Sequence, residues 1–230
     1  MGIAVAVMLL PVLPFLLKRT QGQDGLGLES LANHDTLQRQ WTRDEMLRDK
    51  RFFKIAPLVM TMSAVFTGII FHQKFIIATA KEWDFLWWSF CFVGFAVCQV
   101  AGSFTAGWLV DRVSAKRITP FVLVPFAFSL LLLGLAENEF WAPVIMGTMG
   151  LSAGATHPTY SSLWAELYGT QHLGAIRAAG AVLMVFASAL GPVIVGWALD
   201  TDISVFTITM VCVFITLSTS CLSAFGLRNA

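Results

Sequence analysis

Two histidines stand inside long apolar runs of this 230-residue chain, and ionisable groups in such places are expensive enough to count first as functional candidates. His72 is followed directly by Gln73 and Lys74 near the far end of a run that opens at Ile55. His157 sits between Thr156 and Pro158, with Tyr160 one helical turn on, and Gln99 falls near the middle of the uncharged run Phe85–Val110. A cavity rich in basic and imidazole groups suits a carboxylate, and a histidine changes charge near neutral pH, so it can couple movement of a solute to protons. Plainer roles compete. Lys74 stands about 30 Å of helix from Lys54, where a lysine snorkels to the interface. His157 and Gln99 can equally bond a neighbouring helix, His157 beside a Pro158 kink.

A second chemical pattern runs Gly107-Trp108-Leu109-Val110-Asp111-Arg112-Val113-Ser114-Ala115-Lys116-Arg117, at the end of an apolar run. A glycine lets another helix approach, and an aspartate can accept from the unpaired N–H groups at that helix's start, where the dipole favours negative charge. A shorter copy, Gly196-Trp197-Ala198-Leu199-Asp200, lacks following bases. Enzyme signatures are missing: the chain has no HExxH, no nucleophile elbow, no paired acids within the apolar runs and no Cys/His cluster. Cys91, Cys98, Cys212 and Cys221 make no CxxC pair and read as small apolar packing residues. Neither an enzyme nor a cofactor or metal site is therefore expected, and nothing points to nucleic acid.

The elements that position these residues follow from composition, 57% hydrophobic and 13% charged, far below the about 25% charge of soluble domains. Charge is absent from Met1–Leu17, Ile55–Gln73, Phe85–Val110, Ile118–Ala136, Phe140–Ala165, Ala178–Leu199 and Ile203–Leu227. A helix needs about 20 apolar residues to cross a bilayer, so these seven runs predict an all-α membrane protein with about seven spans. No run alternates as a barrel strand does. Apart from Lys74 and Lys81, every Lys and Arg falls in Lys18–Lys54, Arg112–Arg117, at Arg177 or at Arg228, which puts those connections in the cytoplasm and the N-terminus outside. The intervening connections carry Glu82, Asp84, Glu137, Glu139, Asp200 and Asp202. The expected organisation is one span at 1–17, a cytoplasmic loop at 18–54, a six-span unit at 55–227 and a tail at 228–230. In the loop a flexible Gly and Gln run, Gln21–Gly27, gives way to a surface helix whose Thr42 and Glu45 have capping-box spacing. Lys50, Arg51 and Lys54 then meet anionic headgroups.

The Gly107–Arg117 stretch resembles the loop motif of the major facilitator superfamily, G-x-L-x-D-R-x-G-x-K/R-K/R, with Ser114 in place of its second glycine. Leu163–Gly169, Gly174–Arg177 and Gly191–Gly196 also look like the tenth-to-eleventh connection and eleventh span of bacterial members. The resemblance implies twelve spans in two six-helix halves, each made of two three-helix units of opposite topology. This chain is then similar to spans six to twelve, so truncation of a longer protein is expected, with an N-terminal half as missing partner. It further implies secondary active transport of a small polar or anionic solute by alternating access in a bacterial inner membrane. In that picture His72, Gln73, Lys74, Gln99, His157 and Tyr160 are cavity candidates, and Gly107, Asp111, Arg112, Lys116 and Arg117 form a conformational latch. The rival reading is a self-contained seven-span receptor or membrane assembly factor without transport.

Overall fold

The computed structural model describes residues 40–228, the side chain of Arg228 excepted. The expected span at Met1–Leu17, the Gln21–Gly27 run and the last two residues of the tail lie outside the described residues. Trp41 begins a unit built from helices, with no strand among the described residues. Its elements are α1 (Arg43–Met46), α2 (Lys50–Phe71), a π-helix (Phe75–Ala80), α3 (Phe85–Val113), α4 (Ala115–Ile118), a 3₁₀ turn (Thr119–Phe121) and α5 (Val124–Leu135). A second 3₁₀ turn (Glu139–Trp141), α6 (Ala142–Tyr168), α7 (Leu173–Asp200) and α8 (Val205–Arg228) complete it.

Helix starts follow local capping rules. Thr42 and Glu45 form the expected capping box on α1, with Thr42 N–H donating to Glu45 Oε2 at 2.9 Å. Asp49 Oδ1 accepts from Arg51 N–H at 3.0 Å to open α2, and Asp84 Oδ1 accepts from Leu86 N–H at 2.8 Å to open α3. Among the described residues five segments are long and apolar enough to cross a membrane: Lys50–Phe71, Phe85–Val113, Ala115–Leu135, Leu173–Asp200 and Val205–Leu227. The third is broken into α4, a 3₁₀ turn and α5 because Pro120 and Pro125 withhold backbone N–H donors. Helix α6 has the length, 27 residues, but exchanges apolar bulk for Gly147, Thr148, Gly150, Ser152, Gly154 and Thr156. That composition suits its place: α6 packs on α3 along one side and on α5 along another, and its Ile145, Met146, Met149 and Leu163 are fully buried.

The pairing of helices is closed under an exchange of the two three-helix units, α2–α3–α5 and α6–α7–α8. Helix α3 packs on α6 as α7 packs on α2; α5 packs on α6 as α8 packs on α2; and α5 and α8 pack on each other. The exchange holds at single residues. A β-carbon on Gly102 would collide with the Leu151 carbonyl, and one on Gly191 with the Ala64 carbonyl. Gly150 lies against the Phe95 carbonyl where Ser63 Oγ donates to Met184 O at 2.8 Å. Gly154 lies against the Gln99 carbonyl where Thr67 Oγ1 reaches Ser188 O at 3.1 Å. On α3 and α7 these partners are related by the same shift that carries Gly107 onto Gly196, and on α2 and α6 by another constant shift. Backbones this close exploit small residues, as packing between membrane helices does. Beyond these seams α3 and α7 are only 17% and 22% buried within the unit, so most of their apolar surface faces outward.

Candidate functional site

Prolines inside α6 and α7 create the polar requirement at the centre of the unit. Each leaves the carbonyl four residues earlier without its helical N–H, so Pro158 frees Gly154 O and Pro192 frees Ser188 O. In a bilayer such a group must find another donor. Ser103 Oγ on α3 donates to Gly154 O at 3.0 Å, and Thr67 Oγ1 on α2 lies within donating distance of Ser63 O at 2.6 Å, Ser188 O at 3.1 Å and Ala64 O at 3.2 Å. Between α2 and α7 lies an open cleft of ≈ 600 Å³, lined by Phe66, Thr67, Ile70, Phe71, Ser188 and Pro192.

Around this centre the six cavity candidates separate into groups. His157 is exposed near the middle of α6, and Gln99 is half-buried on the facing helix α3; neither side chain has a hydrogen-bond partner among the described residues. Gly154, one turn before His157, seats on the Gln99 carbonyl, which brings these two candidates to one seam. Tyr160 lies deeper, 5% exposed, with its hydroxyl unpaired among the described residues. His72 caps the end of α2, its Nε2 2.9 Å from Pro192 O and its ring against Gly196. Gln73 Oε1 accepts from Trp88 Nε1 at 3.0 Å, and Lys74 is exposed at the start of the π-helix. His72 and Gln73 thus tie α2 to α7 and α3, whereas Gln99 and His157 keep their polar groups free.

Lys81, which sequence reasoning treated only as an exception to the charge pattern, closes the acidic end of the unit. Its Nζ donates to Gly134 O at 3.1 Å and Ala136 O at 2.6 Å, capping the last carbonyls of α5, and lies 5.4 Å from the Trp83 ring. Trp83 Nε1 donates to Glu137 O at 3.1 Å and Trp87 Nε1 to Glu139 O at 3.2 Å, which zips the α2–α3 connection to the α5–α6 connection. Burial pulls the Lys81 ammonium below the usual lysine value, against the Glu137 carboxylate, which raises it.

At the opposite, basic end the Gly107–Arg117 motif is organised by a residue that its own spacing does not disclose. Ser114 has φ 107°, in the left-handed region that glycine favours, at the position where the family motif has its second glycine. Glu166, on the last turn of α6, holds this turn: Oε2 accepts from Ser114 Oγ at 2.7 Å and Lys116 N–H at 3.2 Å, and Oε1 from Ala115 N–H at 2.6 Å. Only the unpaired N–H groups at the start of α4, a tertiary fact, mark Glu166 for this role. Asp111 and Arg117 are exposed, and Arg112 stacks on Trp108 with its guanidinium 4.3 Å from the ring centre. No other described residue comes within 4 Å of a β-carbon built on Gly107, so its open flank faces away from the unit. The segment before α2 docks beside this turn: Trp41 N–H donates to Tyr168 O at 3.0 Å, and the Trp41, Tyr168, Trp164 and Phe52 rings form a continuous aromatic contact. Residues 1–192 match the sequence profile of the Major Facilitator Superfamily. A search of the curated proteins returned no match to the chain.

Proposed function

Since the chain belongs to the major facilitator superfamily, a family of membrane transporters, and is an integral multi-pass membrane protein, we propose that it carries a small polar or anionic solute by alternating access. The observation that carries this reading is the pair Gln99 and His157: two polar side chains halfway along facing helices, with no partner among the described residues, beside the Gly154 seam. His157 supplies the cationic or hydrogen-bonding contact and the route to proton coupling. Tyr160 lies one turn away for an inward rearrangement. Lys74 provides positive charge at the acidic end, and His72 and Gln73 hold the wall formed by α2.

The Gly107–Arg117 turn then acts as the latch. That Asp111 is exposed and that the flank at Gly107 is open support a contact with a second six-helix half at this turn. The basic end faces the cytoplasm of a bacterial cell, with the acidic end outside. The reading is tested by uptake of a panel of radiolabelled carboxylates into cells producing the protein. His157→Ala is expected to lower uptake of the transported solute at least about tenfold and to flatten its pH dependence, with membrane insertion unchanged. Wild-type uptake with a wild-type pH profile removes His157 from the mechanism.

A further inference from the structure

The exchange that relates the two three-helix units also relates two surfaces of unlike chemistry. Applied to the cleft between α2 and α7, it carries Phe66, Thr67, Ile70 and Phe71 onto Ala153, Gly154, His157 and Pro158, and Ser188 and Pro192 onto Gln99 and Ser103. One wall is aromatic and aliphatic; its counterpart between α3 and α6 is polar. The two walls meet along α3. The Phe66 ring stacks on Phe95, centroids 5.8 Å apart, and Phe95 is one turn from Gln99, whose carbonyl seats Gly154, one turn before His157.

We propose, resting on the transport reading above, that these walls form one solute site for an organic acid with an aromatic or branched apolar body. The hydroxyls of Ser103 and Thr67 are committed to backbone carbonyls, so the Gln99 amide and the His157 imidazole remain to meet the solute's head. Both offer N–H donors, which a carboxylate satisfies. The hydroxyls in the apolar wall, Thr67 and Ser188, are likewise bonded to backbone carbonyls, so Phe66, which stacks on Phe95 one turn from Gln99, is the aromatic surface that the body of the solute covers. A cleft of ≈ 600 Å³ lies within the range of about 300–1,000 Å³ typical of small-molecule sites.

The test is equilibrium binding of radiolabelled 4-hydroxybenzoate to the chain in lipid nanodiscs, corrected with empty discs, with acetate and benzyl alcohol as competitors. The aromatic acid is expected to bind at least about tenfold more tightly than either competitor, because it alone engages both walls. Phe66→Ala and the milder Phe66→Leu, in protein with a retained melting transition, are expected to lower its advantage over acetate, by about tenfold for alanine. His157→Gln weakens both acids and spares benzyl alcohol. Equal competition by acetate, no binding of any probe, or an unchanged ratio in both Phe66 variants overturns the proposal. Uptake into proteoliposomes separates the two readings: flux of other solutes without aromatic-acid preference overturns the solute class alone, whereas two-wall binding without flux supports the site and overturns transport.

Discussion

Replacing Ser114 with alanine and with glycine tests how the turn after α3 is held. Ser114 sits at φ 107°, ψ 138°, where an L side chain is strained by about 1–3 kcal/mol. Both substitutions delete the bond from Ser114 Oγ to Glu166, so that loss cancels between them. What remains is the strain, which alanine keeps and glycine relieves, less the extra backbone entropy of glycine in the unfolded chain, about 0.5–1 kcal/mol. Ser114→Gly is therefore expected to be more stable than Ser114→Ala by about 1 kcal/mol, within a range of about 0–2.5 kcal/mol. The assay is equilibrium unfolding in mixed micelles, followed by tryptophan fluorescence. Trp164 lies half a turn from Glu166 on α6 and reports on this end of the unit. A more stable alanine variant refutes the claim that the turn is a glycine site occupied by serine.

Other outcomes follow from the same bonds. Ser103→Ala leaves Gly154 O unpaired and is expected to cost about 0.5–2 kcal/mol; with Pro158→Ala, which restores the helical N–H, the same change should cost close to nothing, and a double-mutant cycle on unfolding reads the coupling. Lys81→Met removes the donor from Gly134 O and Ala136 O and should lower stability by about 1–3 kcal/mol. Because the folded protein holds the Lys81 proton less tightly than the unfolded chain does, stability from this group rises with pH between its lowered value and the ordinary lysine range. The gap between wild type and Lys81→Met in unfolding at several pH values is therefore expected to widen as pH increases. A gap that narrows over that window contradicts the burial of the ammonium.

Much of this molecule was legible one residue at a time. Membrane insertion, the all-α class and the approximate limits of the spans follow from hydropathy summed along the chain, and the Thr42–Glu45 capping box follows from a spacing of three residues. The Gly-Trp-x-x-Asp pair was visible because a repeat is itself a property of sequence, but the pairing of helices is what relates the two three-helix units. Helix α6 was read as the span Phe140–Ala165, yet it is not among the five segments apolar enough to cross a membrane, since a helix with close neighbours on two sides trades apolar bulk for small and hydroxyl residues.

Other assignments depended on which faces of separate helices meet. The sequence contains Gly102, Gly107, Gly150 and Gly154 as equals, yet Gly107 alone of the four is open, because only the rotation of α3 against α6 decides which glycines lie on the seam. Ser103 serves the carbonyl that Pro158 frees, Glu166 holds the Ser114 turn, and Lys81 caps α5; each joins positions far apart in the chain. The same rotation commits the His72 ring nitrogen to Pro192 and leaves Gln99 and His157 without partners among the described residues. Residue type and depth, which the sequence determines, made all of these polar groups costly in a bilayer. Helix register, which only the tertiary structure decides, set which of them the fold itself satisfies and which stay unpaired among the described residues.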